Sequence, residues 1–355
     1  MAKSLKIAVL HYLPQGEQVD PVVLQVQEAL RKNGHDASLI GVDDRVNDVL
    51  REIEKAQCDL VFNVCETFAE DYRMEVNIAA LMEMAGVKFT GSGTAGLLLA
   101  QDKILTKQLL EFHHVLSPRF AMFDEHSFAT SGDIAFPLIV KPAKSDASIG
   151  IGKKAVVKDM RELSARVADI REQLDDDALA EEFIEGREIY VAVLGPPGAP
   201  EVLPLVELDF GKWEAGKPKV ANRDVKFGPE TKDSPRLLIA RDVSEELQER
   251  IERAATSAYR ALKLRDYARI DFRVSARNNA PYLLEVNPNP YLESRSEVAL
   301  AAMAAGLSYE RLVGRIVDSA VQRYKLLRPP RQPAAPPKLE VVGEAAPAAP
   351  SRNEG

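Results

Sequence analysis

Two short runs near the C-terminal end of the chain combine an alternating apolar pattern with residues that can bind a cation. In the first run Ile270, Phe272 and Val274 alternate with polar residues, and the second run, Tyr282–Asn287, ends in a similar alternation. Such alternation is typical of a half-buried strand. The residues between the runs, 275–280, can form the connection of a hairpin. The pattern therefore predicts a β-hairpin with one apolar and one polar face.

The polar face of this hairpin carries the residue types of a magnesium site. Arg269 and Asp271 share a face of the first strand, and Glu285 and Asn287 share a face of the second. Carboxylate and amide oxygens without a nearby His or Cys suit a hard cation such as Mg²⁺, which proteins hold through few side chains together with phosphates. An arginine beside the ion could stabilise negative charge in a transition state. A hairpin with an ordinary solvated face is the alternative that the pattern leaves open.

The composition is that of a globular protein with two or three domains: 355 residues, 46% hydrophobic and 28% charged. The net charge of −8 argues against general binding to nucleic acids or anionic membranes, while a local basic pocket for phosphates stays compatible with it. Cys58 and Cys65 make neither a disulfide framework nor a zinc site, and we expect both to be reduced and buried. No apolar run has the form of a signal peptide or the length of a transmembrane span, so the cytoplasm is the expected location.

The first quarter of the chain reads as strands alternating with helices. Strands are predicted at Ile7–Tyr12, Ala37–Val42 and Asp59–Val64, and helices at about Pro21–Lys32, Val46–Ala56 and Met74–Ala85. This alternation predicts a parallel sheet with ligands at the carboxyl ends of its strands, where the loops Leu13–Asp20 and Cys65–Tyr72 would lie. We place the first domain boundary near Gly93, after a turn-rich segment.

The remaining elements are less regular and end in a segment with almost no large apolar residues. We expect one helical stretch at Ala95–His113 and a strand pair, Ala178–Phe183 with Glu188–Leu194, around Glu185-Gly186. Further strands are predicted at Ala121–Phe123, Leu138–Val140, Lys154–Val157 and Leu203–Leu208, and helices at Met160–Leu174, Glu245–Leu262 and about Ser308–Tyr324. The Pro- and Ala-rich residues 329–355 are predicted to be a disordered tail.

Two further segments have residue types that could bind a nucleotide. The loop Lys141–Gly150 follows a strand and could cover phosphates with backbone N–H groups and one ammonium group, although a plain hairpin loop explains it as well. It matches neither a Walker A nor a Gly-x-Gly-x-x-Gly motif. The segment Ala180–Glu188 could offer backbone groups and carboxylates to an adenosine, or it could be an exposed acidic turn. Lys103 and Lys226 are by default ordinary surface lysines.

Taken together, seven segments resemble the ATP-grasp superfamily, specifically its D-alanine–D-alanine ligase-like group. In chain order they are Gly91-Ser92-Gly93, Asp102-Lys103, Phe136–Pro142, Ser148-Ile149-Gly150, Glu181–Glu188, Arg269-Ile270-Asp271 and Glu285-Val286-Asn287. The resemblance covers about residues 6–325 and implies a three-domain α/β fold. Its parts would be an N-terminal parallel α/β substrate domain (1–94), a central α+β ATP-grasp subdomain (95–180), a C-terminal α+β catalytic domain (181–328) and the tail (329–355).

The resemblance also implies a role for each candidate residue. Lys103 and Lys141 would meet the phosphates of ATP, Ser148 would close over them, and Lys226 would reach the γ-phosphate. Glu181 would take the adenine amine, Phe183 and Ile184 would border the base, and Glu188 would hold the ribose. Asp271, Glu285 and Asn287 would hold two Mg²⁺ ions, with Mn²⁺ as a possible substitute, and Arg269 would stabilise the acyl phosphate and the tetrahedral species. The implied reaction joins a small-molecule carboxylate to an amine through an acyl phosphate.

The chain departs from the D-alanine ligases where they hold their amino acids. Glu17 and Glu66 are the residues left in the two N-terminal loops that could meet a substrate, and Tyr291, Arg295 and Ser296 follow Asn287 in place of a small turn. Arg295 could bind a substrate carboxylate, or it could pair with Glu293 or Glu297.

These departures leave three hypotheses for the function. We expect an ATP-dependent carboxylate–amine ligase acting on amino acids or a small peptide-like metabolite. The alternatives are a true D-alanine–D-alanine ligase of peptidoglycan precursor synthesis and a catalytically silent ATP-binding regulatory protein. We expect neither a nucleic-acid nor a membrane partner, and the resemblance suggests a homodimer.

Overall fold

The computed structural model describes residues 4–124, 127–143, 152, 154–213, 218–221 and 234–326. The candidate residues Ser148 and Lys226 and the predicted tail at 329–355 lie outside these ranges. The described residues form three β-sheets and nine α-helices, so the fold is mixed α/β as expected. No helix within these ranges combines the length and the hydropathy needed to span a lipid bilayer.

The N-terminal sheet is parallel, as the alternation of strands and helices predicts. Its strands, in the order β2-β1-β3, are β1 (Lys6–Tyr12), β2 (Asp36–Val42) and β3 (Leu60–Asn63), with helices α1 (Pro21–Lys32), α2 (Val46–Ala56) and α3 (Glu75–Met84). Helix α1 begins where Asp20 accepts a hydrogen bond from Val22 N and Pro21 occupies the first turn, two features that favour a helix start.

The helical stretch predicted at 95–113 is present, but it is divided into two helices. Helices α4 (Thr94–Gln101) and α5 (Lys103–Phe112) are separated by Asp102, whose backbone is extended. The Asp102 carboxylate accepts hydrogen bonds from Ile104 N at 2.9 Å and Leu105 N at 3.0 Å, which makes it the N-cap of α5. The break places Lys103 in the first turn of a new helix.

The central sheet is antiparallel and has the strand order β5-β4-β8-β6-β7. Helix α6 (Met160–Leu174) packs on it, with Leu163, Val167 and Ile170 in the same apolar cluster as buried residues of β6 and β8. The strands are β4 (Phe120–Phe123), β5 (Phe128–Thr130), β6 (Leu138–Pro142), β7 (Val156–Val157) and β8 (Ala178–Glu182). Strand β5 has no counterpart among the predicted elements.

The strand pair predicted around Glu185-Gly186 is also wrong. Both strands exist, but β8 pairs with β4 and β6, whereas β9 (Gly186–Gly195) belongs to the C-terminal sheet. Gly186 has φ +155, and a Cβ on it would lie 1.8 Å from the carbonyl oxygen of Val274. A residue with a side chain would therefore collide with β13 at the point where the chain passes from the central to the C-terminal sheet.

The C-terminal sheet has the order β12-β11-β9-β13-β14, with β10 paired to β9. Its further strands are β10 (Glu201–Val202), β11 (Val206–Asp209), β12 (Arg236–Ile239), β13 (Asp266–Ser275) and β14 (Pro281–Asn287). Helix α7 (Glu245–Ala261) lies between β12 and β13 in the chain, and helices α8 (Glu297–Ala304) and α9 (Tyr309–Tyr324) follow β14. Ile270, Phe272 and Val274 pack in one cluster with residues of α7. Tyr190, Tyr267 and other residues of the opposite face pack with α8, α9 and the N-terminal sheet. Strand β12 and helix α8 have no counterpart among the predicted elements.

A buried polar network joins the N-terminal sheet to β13 and β14. Asp266 is fully buried, and its carboxylate accepts hydrogen bonds from Gly91 N at 2.8 Å and Ser319 Oγ at 2.7 Å and pairs with Arg323. Nearby, Ser92 N donates to Asn289 Oδ1 at 2.9 Å. These bonds place the end of β14 next to the loop that follows the N-terminal sheet.

Candidate active site

The predicted hairpin is present as β13 and β14, and its two polar faces coincide. Arg269 lies opposite Asn287, and Asp271 lies opposite Glu285, in the antiparallel register. Residues directly opposite each other project from the same face of the sheet. The register shifts between Asp271 and Phe272, because Leu284 has no partner on β13 in the register. Leu283 therefore pairs with Phe272 on the apolar face, whereas Glu285 pairs with Asp271 on the polar face. The expected convergence of two carboxylates, an amide and a guanidinium is therefore confirmed.

Arg269 is held on three sides. Its Nε and Nη2 donate to the two oxygens of Asp271 at 2.8 and 3.0 Å, and its Nη1 donates to Glu297 Oε2 at 3.2 Å. Its guanidinium lies 5.2 Å from the ring centroid of Tyr190. Burial works against the charged form, but the two carboxylates outweigh it and raise the pKa of Arg269 well above its ordinary value. The site therefore contains a fixed, permanently charged cation.

Asn287 and Glu285, the hairpin's other two polar residues, contact Asp271 and a lysine respectively. Asn287 Nδ2 donates to Asp271 Oδ2 at 3.3 Å, which ties the amide to the carboxylate. Lys103 Nζ lies 3.0 Å from Glu285 Oε1, and the Lys103 side chain is only 9% exposed. The break at Asp102 is what directs this lysine from α5 onto β14. Lys103 is thus part of the site and not an ordinary surface lysine.

A second cluster lies on the central sheet and contains a residue that sequence reasoning missed. Glu181 is 1% exposed, and its carboxylate oxygens lie 2.6 Å from Lys107 Nζ and 2.9 Å from Lys141 Nζ. Burial alone would raise the pKa of Glu181, but the two ammonium groups outweigh it and keep the pKa below its ordinary value. Burial, with a contribution from Lys141, lowers the pKa of Lys107. The cluster carries a net positive charge when all three groups are ionised.

A third cluster surrounds Glu188. Its Oε1 accepts a hydrogen bond from Tyr190 Oη at 2.9 Å and its Oε2 accepts one from Arg273 Nη2 at 2.5 Å. The Arg273 guanidinium lies 5.9 Å from the ring centroid of Phe183. Phe183 and Ile184 are half-buried in the connection between β8 and β9. A cavity of about 670 Å³ lies beside this cluster and is lined by Phe183, Phe210, Lys219 and Arg273, among others. Such a volume is in the range of small-molecule sites.

The candidate substrate residues lie in the segment after β14 and in the two N-terminal loops. Tyr291 is half-exposed, and its hydroxyl donates to Asp20 Oδ1 at 3.0 Å, which connects the segment after β14 to the start of α1. Ser296 is the N-cap of α8 and accepts a hydrogen bond from Ala299 N. Glu17 and Glu66 are exposed in the two N-terminal loops.

Arg295 pairs with the neighbouring carboxylate of Glu293, which is one of the two roles expected for it. It is 85% exposed, its Nε lies 3.4 Å from Glu293 Oε1, and its backbone N donates to Glu293 Oε2. The other acidic neighbour considered, Glu297, pairs with Arg269 instead.

Four residues of these clusters escaped the sequence reasoning. Two had a signal in the sequence: Lys107 lies one helical turn after Lys103, and Arg273 continues the alternate positions of Arg269 and Asp271. Tyr190 stands two residues after Glu188, on the same face of β9, but the sequence does not distinguish it from an ordinary core tyrosine. Glu297 had no local signal, because only the packing of α8 brings it to Arg269.

The chain is similar to known proteins over most of its length. Residues 107–318 match the family model described as D-ala D-ala ligase C-terminus. The uncharacterized protein y4sG of Sinorhizobium fredii is 35% identical over 323 residues, 88% of this chain and 89% of its own length. The D-alanine–D-alanine ligase of Cupriavidus pinatubonensis is 35% identical over 301 residues, 83% of this chain and 85% of its own length.

Two solved structures share the fold. The D-alanine–D-alanine ligase from Bacillus anthracis complexed with ATP has a TM-score of 0.71 at 22% identity and covers 92% of this chain and 100% of its own. The VanG D-Ala:D-Ser ligase from Enterococcus faecalis has a TM-score of 0.68 at 20% identity and covers 89% and 100%. From the family match and the relatives at 35% identity, this chain belongs to the D-alanine–D-alanine ligase family of ATP-grasp enzymes, which form a C–N bond between a carboxylate and an amine.

Proposed function

We propose that this protein uses ATP and Mg²⁺ to join two amino acids, or an amino acid and a small peptide-like metabolite. The proposed specificity is not assigned to D-alanine. The observation that carries the proposal is the convergence of Arg269, Asp271, Glu285, Asn287 and Lys103 on one face of the β13–β14 hairpin. Since an ATP-dependent ligase must neutralise both a triphosphate and a carboxylate, a face with these charges suits the reaction.

The donor set on this face fits a hard cation. Asp271 and Glu285 supply two carboxylates, Asn287 supplies an amide oxygen, and phosphate oxygens would complete the coordination of Mg²⁺. The described residues contain no cluster of three or more His, Cys, Asp or Glu side chains that could enclose a metal without phosphates. A bound Mg²⁺ would neutralise phosphate charge during transfer of the γ-phosphoryl group.

We propose that the clusters around Glu181 and Glu188 bind the nucleoside part of ATP. In the proposal Lys103 and Lys141 meet phosphates, Glu181 takes the adenine amine and Glu188 takes the ribose. Phe183 and Ile184 border the base. Ser148 and Lys226, for which we propose phosphate contacts, lie outside the described residues.

The chain contributes charge and position to each chemical step. The γ-phosphoryl group of ATP passes to an oxygen of the substrate carboxylate, and ADP leaves. The amine then attacks the acyl carbon and a tetrahedral species forms. The C–O bond to phosphate breaks, phosphate leaves, and the nitrogen loses a proton as the amide is made. Arg269 faces the negative charge that grows on the acyl phosphate and on the tetrahedral oxygen, and its bonds to Asp271 and Glu297 fix it before substrates bind.

The substrate end supports a specificity different from that of D-alanine ligases. We propose that Tyr291 and Ser296, with Glu17 and Glu66 from the N-terminal loops, surround the amino acids, and that Arg295 reaches a substrate carboxylate when it leaves Glu293. Tyr291, whose hydroxyl donates to Asp20, is a bulky residue in the segment where D-alanine ligases have a small turn. The domain limits at residues 94, 180 and 328 and a homodimer are further parts of this proposal.

The second candidate is D-alanine–D-alanine ligase activity, which the similarity to the D-alanine–D-alanine ligase of Cupriavidus pinatubonensis favours. A phosphate-release screen of the full chain with ATP, Mg²⁺ and pairs of D- and L-amino acids, with products identified by mass, separates the candidates. We expect turnover with a pair other than D-alanine and D-alanine. Prompt formation of the D-alanine dipeptide as the best product would overturn this order, and ATP binding without amine-stimulated phosphate release would favour a silent regulatory protein.

A further inference from the structure

The side chain of Arg273 lies where the proposed nucleoside site meets the C-terminal sheet. Arg273 is 5% exposed and stands opposite Glu188 in the register of β13 and β9. It lines the cavity of about 670 Å³ together with Phe183 and Phe210. It is also on the face of β13 that carries Arg269 and Asp271. The proposed reaction steps assign no role to this buried arginine.

The contacts of Arg273 show what it does to Glu188. Its Nη2 donates to Glu188 Oε2 at 2.5 Å and its Nη1 donates to the carbonyl oxygen of Lys219 at 3.1 Å. Tyr190 Oη donates to the other carboxylate oxygen of Glu188. A carboxylate has about four lone-pair sites, so these two donors leave room for two further hydrogen bonds. Burial, together with Glu188, raises the pKa of Tyr190 well above its ordinary value, and its hydroxyl therefore keeps its proton.

We propose that Arg273 is a nucleoside-positioning residue, which holds the Glu188 carboxylate in the orientation that accepts the ribose hydroxyls while its guanidinium packs on Phe183. This inference rests on the proposed assignment of Glu188 to the ribose. An arginine suits the task because its guanidinium stays charged and its fork fixes direction as well as charge. Without it, Glu188 would keep one donor and could turn away from the nucleotide.

Binding of nucleotide analogues tests the inference without knowledge of the substrates. Titration calorimetry of the full chain with Mg²⁺ would compare ATP, 2′-deoxy-ATP and 3′-deoxy-ATP. For the wild-type protein we expect at least one deoxy analogue to bind about tenfold or more weakly than ATP, the size of a lost hydrogen bond to a charged group. In Arg273→Met we expect weaker ATP binding and a ratio near one, and in Arg273→Lys a partly restored ratio.

Three companion variants separate the possible results. Glu188→Gln tests the ribose assignment, Tyr190→Phe removes the second donor and should lower the ratio in part, and Arg277→Met is the matched control, an exposed arginine at the hairpin turn that should bind all three nucleotides as the wild type does. Circular dichroism would establish that each variant is folded.

Each other outcome overturns a defined part of the reasoning. If Arg273→Met keeps the wild-type ratio while Glu188→Gln loses it, the inference about Arg273 is wrong and the ribose assignment stands. If the wild-type protein binds the three nucleotides equally, the ribose assignment and the inference both fail. If Arg273→Met does not fold, an unchanged ratio in both Tyr190→Phe and Arg273→Lys rejects the inference. Absence of any ATP binding by the wild-type protein rejects the proposed function itself.

Discussion

The buried cluster of Lys107, Glu181 and Lys141 should respond to mutation according to its total charge, not its number of ion pairs. When all three groups are ionised, two ammonium groups and one carboxylate carry a charge of +1. Glu181→Gln leaves two buried lysines without a counter-ion, whereas Lys107→Met leaves the neutral pair of Lys141 and Glu181 at 2.9 Å. The two substitutions each break the 2.6 Å ion pair but should have different effects on stability.

The expected sizes follow from burial. The side chains of Lys107 and Glu181 are each 2% exposed, so removal of the carboxylate should lower the free energy of unfolding by about 3–5 kcal/mol. Lys107→Met should cost less than about 1.5 kcal/mol, because an apolar side chain of similar volume replaces a surplus charge. The Lys107 Nζ lies 5.8 Å from the ring centroid of Phe120, a ring that a methionine sulfur can also contact.

Urea unfolding at neutral pH, followed by circular dichroism, would measure both changes. Glu249→Gln is a matched control, because the Glu249–Arg253 pair is about two-thirds exposed and should contribute less than about 1 kcal/mol. A loss in Lys107→Met as large as that in Glu181→Gln would refute the charge argument.

The pH dependence provides a second check. The pKa of Lys107 is lowered in the folded state, mainly by burial, so the unfolded chain binds more protons and the stability of the wild type should rise with pH between that pKa and the ordinary value. Lys107→Met should lack this rise. The pKa of Glu181 is also lowered, here by the lysines against the effect of burial. Its contribution is therefore present above the ordinary pKa and is lost as the pH falls through the folded value, and the cost of Glu181→Gln should shrink in acid.

Three further predictions concern the metal ligands, a helix start and the passage between sheets. Glu285→Ala should lower Mg²⁺-dependent phosphate release by more than about a hundredfold with the fold intact, since mutation of residues that only support a metal ligand already lowers activity by up to about a hundredfold. Normal turnover would contradict the metal assignment. Asp102→Ala should cost about 1 kcal/mol in urea unfolding through loss of the α5 N-cap, and unchanged stability would show that the cap is dispensable. Gly186→Ala should cost at least about 3 kcal/mol, because the new methyl would overlap the Val274 carbonyl. Gly198→Ala, whose methyl meets open space, is its control, and equal stability of these two variants would argue against the close approach.

The sequence by itself determined the features that depend on neighbours along the chain. The alternation of Ile270, Phe272 and Val274 placed Arg269 and Asp271 on one face of β13, since side chains alternate across any strand. The helix α6 begins and ends where its pattern predicts, with Asp159 as its N-cap. The order of the seven segments was enough to indicate the family.

The tertiary structure decided which of these local elements meet. Strands β8 and β9 have the expected patterns but lie in different sheets, because the choice of partner depends on tertiary packing and not on local propensity. Glu297 meets Arg269 only because α8 packs on the C-terminal sheet. Lys107 lies in an ordinary helical sequence. Its burial beside Glu181 follows from the packing of α5 on the central sheet. Charges acquire their roles from burial and distance, and both are properties of the packed chain.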